Sequence, residues 1–142
     1  MAWITPKTDW YGGVNSNGEY EGDKFNADDY NRIKNNIQYL KTISEDMYNA
    51  YSITAMGSDK TVTDYPYAKE INAIEDNLDT INRNTLKRSL GDKKTYYSNG
   101  QTIDYIELNR IERGIQELYN LLINQYQGRR SFTWNFGMNG GL

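Results

Sequence analysis

Large apolar side chains are sparse along this chain, but three stretches place them at matching intervals. Tyr30, Ile33, Ile37 and Leu40 superpose without gaps on Ile71, Ile74, Leu78 and Ile81, and again on Leu108, Ile111, Ile115 and Leu118. The 3-4-3 spacing is that of one apolar stripe on an α-helix. The first stripe continues through Ile43 and Met47 and the third through Leu122. The pattern predicts three amphipathic helices, the extended ones about 20 residues or more in length, and a self-similarity that marks a repeated unit. Asn31, Asn72 and Asn109 hold the same place in each copy, one residue after the first anchor.

Boundary signals agree with these helices. Asn26 follows Phe25 and precedes Asp29, and Asp104 follows Ile103 and precedes Glu107, the pattern of a capped N-terminus with an apolar staple. Pro66 is expected in the first turn of the second helix, Gly91 after its end, and Gly128 after the end of the third. Between helices the texture turns to short β-prone runs. Ser98-Asn99-Gly100-Gln101 and Asn17-Gly18 read as hairpin turns, and 52–54 with 61–63 as a third hairpin. Ser131 to Phe136 alternates polar and aromatic residues, the period of a strand with one apolar face. The expected fold is mainly α: a small bundle of three repeated amphipathic helices, short β-hairpins between them, and an aromatic C-terminal strand. The expected organisation is an N-terminal docking arm and turn over 1–24, the three-helix repeat over 25–128, and a terminal strand and tail over 129–142.

Composition narrows the chemistry. The 142 residues include no Cys and no His, which removes thiolate nucleophiles, sulfur-ligated zinc and the commonest general base. A net charge of -3 and a sequence pI near 5.0 give no electrostatic footprint for nucleic acid, and no apolar run reaches the length of a membrane span. Met1 to Trp10 lacks the basic start and apolar middle of a signal peptide, which places the chain in the cytoplasm unless something else carries it out. A mean hydropathy of -0.87 beside 13 Tyr and 17 Asn describes a chain that is widely exposed or shares its core with a partner.

Several constellations read as framework. The three matched asparagines are expected to bond locally or to a neighbouring helix at the margin of the stripe. Asp28 with Asp29, and Glu75 with Asp76 and Asp79, lack the spacing of a calcium loop and read as solvated faces or complements of the helix dipole. Gly12-Gly13 and Gly140-Gly141 are turns or tail, without the Lys-Ser/Thr of a phosphate loop, and Arg129-Arg130 complements the end of the third helix. No catalytic, cofactor-binding or metal-binding residue is assigned. The aromatic content suits subunit interfaces better than sugar stacking.

The opening words Trp3-Ile4-Thr5-Pro6-Lys7-Thr8-Asp9-Trp10, followed by Phe25-Asn26-Ala27-Asp28-Asp29-Tyr30-Asn31-Arg32-Ile33 and Asn36-Ile37-Gln38-Tyr39-Leu40, resemble small virion proteins of phages and prophages of Gram-positive bacteria. Those proteins are tied to the tail tip, baseplate or tail fibres. The resemblance covers Trp3 to Leu40, is echoed by Leu108 to Leu118, and omits the hairpins and the tail. It implies a non-enzymatic structural or adaptor protein of the virion, assembled in the host cytoplasm, present in many copies or as a homo-oligomer, and bound to other virion proteins. Trp3, Pro6 and Trp10 at one end, and Phe132, Trp134 and Phe136 at the other, are the expected partner-binding residues. The rival expectations are a carbohydrate-binding host-recognition module and a neck or capsid-surface protein. An enzyme built on a carboxylate pair ranks third.

Overall fold

A computed structural model describes residues 3–62, 66–98 and 103–138, the last ten of these as backbone alone. It contains α1 (Ala27–Ser44), α2 (Ala68–Asn84) and α3 (Tyr105–Met138), and each helix packs against the other two. All twelve residues of the matched stripes are buried, from Ile71 at 6 % exposure to Tyr30, Ile37, Leu40, Ile81, Ile115 and Leu118 at 0 %. Leu122 extends the core by one further turn of α3. Burying an Ile or Leu side chain contributes about 1.5–3 kcal/mol, so these stripes are the main source of cohesion in a polar chain.

Both expected N-caps form. The Asn26 side chain accepts from Asp29 N at 3.0 Å while Asp29 accepts from Asn26 N at 3.1 Å, and Asp104 accepts from Glu107 N at 2.9 Å. At α2 the Glu70 carboxylate reaches back to Tyr67 N at 2.8 Å. Pro66 stands one residue ahead of that cap rather than inside the first turn.

The helix ends differ from expectation. α1 closes at Ser44, before Met47. α2 stops at Asn84, because Thr85 leaves helical geometry (φ -128°); Lys87 takes the left-handed conformation first, with φ 54°, and Gly91 takes it again at φ +84°, seven residues beyond the helix end. Gly128 does not end α3, which runs to Met138. The C-terminal strand is therefore replaced by helix: Phe132, Trp134 and Phe136 lie on α3, and Arg129-Arg130 sit within it rather than at its end. A lone alternating segment has no sheet edge here on which to satisfy its backbone, whereas continuing α3 satisfies each N–H and C=O internally.

Among the described residues the hairpins reduce to one antiparallel bridge, Val14 to Tyr20, around a turn with Gly18 at φ +80°. Residues 52–54 and the described part of 61–63 do not pair. The turn at Asn99-Gly100 lies outside the described residues. Three non-helical arms lie outside the helices instead: arm 1 (residues 4–10) ahead of α1, arm 2 (54–60) between α1 and α2, and arm 3 (90–96) between α2 and α3.

Candidate functional site

The arms are held by asparagine side chains. An extended residue points its N–H and C=O to the same side, and a carboxamide offers one acceptor and one donor in matching geometry, so a single asparagine can replace a strand neighbour. Asn36 accepts from Ile4 N at 3.0 Å and donates to Ile4 O at 2.7 Å. Asn109 holds Trp10 in the same way, at 2.7 and 2.9 Å. Asn77 holds Thr54 and Asn31 holds Lys60, with all four distances between 2.7 and 2.8 Å. Asn72 holds Tyr96 at 2.7 and 2.8 Å, and Asn82 clamps Arg88 just after α2.

These clamps follow a cyclic rule. Each arm meets the helix that follows it in sequence and, six residues further along the arm, another helix. Arm 1 bridges α1 and α3, arm 2 bridges α2 and α1, and arm 3 reaches α2 through Asn72. The missing clamp is at Gly114, the α3 counterpart of Asn36 and Asn77. A Cβ built there would meet Leu90 at 3.5 Å, so arm 3 passes Gly114 at the expected place with an apolar contact instead. The result is a closed ring of three arm-and-helix units.

Buried charge follows the same rule. Glu112 on α3 is 0 % exposed and accepts two bonds from Arg32 on α1, both at 2.8 Å, one from Lys7 N at 3.0 Å, and one from the Trp10 indole N–H. Glu75 on α2, 2 % exposed, takes Arg110 of α3 at 2.5 Å and faces the Tyr96 hydroxyl at 3.4 Å. Burial pushes the Glu75 carboxyl above its ordinary range, against the pull of Arg110, and burial likewise pushes the Tyr96 hydroxyl up. In the third unit the equivalent residues are Lys34 and Ala73, and Lys34 turns to Asp59 at 2.5 Å. Glu75 was expected on a solvated face; it is a core group. The warning was present in the spacing, because the position four residues after the first anchor lies inside the stripe and is charged in all three copies.

The expected partner-binding residues of the N-terminus are used within the chain. Trp10 is 4 % exposed, lies edge-on to Phe25 at 6.1 Å and faces Arg32 at 6.0 Å, while Pro6 is buried. Trp3 stacks on Tyr119 at 3.8 Å beside Tyr39. Pro6 and Trp10 thus pack against the chain's own helices, Trp10 fixed by Asn109 and Glu112. Phe132, Trp134 and Phe136 are placed on α3 by backbone only. The matched asparagines, expected to bond to their own or a neighbouring helix, bind the arms instead; Asn36, Asn77 and Asn82 serve the same purpose and carried no role in the sequence reading. A cleft of about 560 Å³ at the helix N-termini, walled by Tyr20, Phe25, Val62, Ile103 and Tyr105, borders segments outside the described residues.

Among the described residues no helix is long and apolar enough to cross a membrane, and no group of three or more carboxylates is placed to hold a metal ion. No protein-family model, curated protein or solved structure matches the chain.

Proposed function

We propose that this chain is a non-enzymatic structural or adaptor protein of a phage virion, of the tail or baseplate, that joins larger components. One observation carries the reading. The words that resemble small virion proteins, Trp3 to Trp10 and Phe25 to Leu40, contain arm 1, its clamp Asn36, the clamp Asn31 and the Arg32 partner of Glu112. The similarity thus falls on residues that build the ring rather than on scattered surface positions. The deeply buried polar groups support the same reading, since Glu75, Glu112 and the clamps serve the chain's own backbone and ion pairs. The aromatic part of α3, Phe132 to Phe136, is the segment assigned to neighbours. Mass spectrometry of purified particles tests the proposal: the protein should copurify with tails at fixed stoichiometry, and its absence from intact particles of a phage that encodes it overturns the reading.

The carbohydrate-binding alternative draws on Tyr11, Tyr20, Tyr67 and Tyr97, which are all more than half exposed. Calorimetry against host wall polymers distinguishes the two, because the adaptor should show no saturable heat.

A further inference from the structure

We propose that arm 1 exchanges between copies of this chain, so that Ile4 to Trp10 of one copy seats in the α1–α3 groove of a second. The groove reads main chain. Asn36 and Asn109 hold the backbone of Ile4 and Trp10, and Glu112 takes Lys7 N and the Trp10 indole, so an identical arm arriving from another molecule makes identical bonds. The same device holds the backbone of arms as different as those around Met56 and around Lys93-Lys94, so the clamps bond main chain whatever the neighbouring side chains, while Glu112 takes the Trp10 indole.

The connector stores the necessary slack. Residues 11–26 double back on themselves: Asp23 N donates to Tyr11 O at 2.8 Å and Tyr11 N to the Asp23 carboxylate at 3.0 Å. Between those points the loop is held by the Val14–Tyr20 bridge, the bond from Glu21 N to Gly13 O and the Asn15 turn, all at the surface, with Val14 69 % and Tyr20 53 % exposed. Opening the Tyr11–Asp23 loop releases none of the buried core residues, with Phe25 beyond it parting from Trp10, and the 16 residues then reach up to about 50 Å. Arms 2 and 3 lack this freedom, since each is tied at both ends to a helix by connectors of five to nine residues. Exchange of an identical element is a low-cost route to a closed dimer. This inference stands independently of the virion reading.

The test mixes full chain labelled with 15N and full chain labelled with 13C, warms the concentrated mixture to just below its melting midpoint, cools it, and isolates the dimer by size exclusion. Isotope-filtered NOEs should connect the Trp10 amide and indole protons of one copy to the Asn109 and Glu112 side chains of the other. A second chain lacking residues 13–21 keeps closure within one molecule feasible, because Gly12 and Gly22 already touch: a Cβ built on Gly22 would lie 2.6 Å from Gly12 Cα. With the slack removed, the dimer fraction should fall at least tenfold while the monomer stays folded. No dimer, a dimer whose Trp10 contacts are all within one copy, or a dimer undiminished by the deletion overturns the proposal.

Discussion

Tyr30 differs from every other stripe residue in carrying a hydroxyl, and that hydroxyl is buried without a hydrogen-bond partner. An unsatisfied buried polar atom costs about 1–3 kcal/mol. Tyr30→Phe should therefore stabilise the protein by about 1 kcal/mol, measured as a shift of the urea midpoint at constant slope. Burial pushes this phenol from its ordinary 10.0 up to about 12. Its folded pKa is raised, so its contribution is intact below pH 10 and is lost as pH rises from 10 toward 12. The alkaline limb of the stability profile should be flatter in Tyr30→Phe than in the native chain. The clamps predict the opposite sign. Asn109→Ala leaves Trp10 N–H and C=O unpaired and should cost about 1–3 kcal/mol by thermal or urea unfolding, whereas Asn124→Ala on the exposed face should cost little.

Among the helices, Gly114 tests the ring rule. It stands inside α3, where glycine is about 0.5–1 kcal/mol less favourable than alanine, and the contacts a Cβ would make with Leu90 and Leu78, at 3.5 and 3.6 Å, are ordinary. Gly114→Ala should raise the melting temperature. Gly91→Ala should lower it, because Gly91 has φ +84° and its Cβ would come within 2.6 Å of Arg110. The helices themselves were legible: stripes, caps and repeat are local signals with the period of the element they predict. Their ends were less so. α2 stops where Asn82 captures the backbone of Arg88, a competition between side chain and helix that propensity cannot reveal. The alternating pattern of Ser131 to Phe136 describes a strand only if another strand lies beside it, and α3 supplies a continuing helix.

For the molecule as a whole, the ion pairs lock helix to helix around the ring. Glu112→Ala leaves Arg32, whose side chain is only 14 % exposed, with Asp29 as its remaining ion partner at 2.9 Å and takes the acceptor from Lys7 N and the Trp10 indole, and should cost about 3 kcal/mol. A double-mutant cycle with Arg32→Ala should recover part of that loss as a coupling energy, and additivity would show that the pair does not join α1 to α3. Acid acts on the remaining unit. The Lys34 hydrogen bond holds Asp59 below its ordinary 3.8, and bonds from Lys60 and Tyr67 N–H hold Glu70 below 4.5 despite the opposing effect of burial. Lowered folded values mean that this stabilisation is present above those ordinary values and is lost as pH falls through the lowered ones. Glu75 runs the other way, its contribution declining as pH rises through its raised value. Melting temperature should therefore drop on acidification below the carboxylate range, and Asp59→Asn should flatten that drop.

The sequence by itself determined the three helices, which residues form their common core and their N-caps, because each follows from spacing within a single helix, and the repeat, because the same spacing recurs from Tyr30, Ile71 and Leu108. Tertiary structure alone decided that the connections become arms rather than hairpins. It also decided that the asparagines serve those arms, and that Glu75, Glu112, Pro6 and Trp10 lie inside. The physical reason is the separation of the partners. Trp10 and Asn109 are 99 residues apart and Lys7 and Glu112 are 105 apart. Whether an amide or a carboxylate faces water or an arm is fixed only when the ring closes.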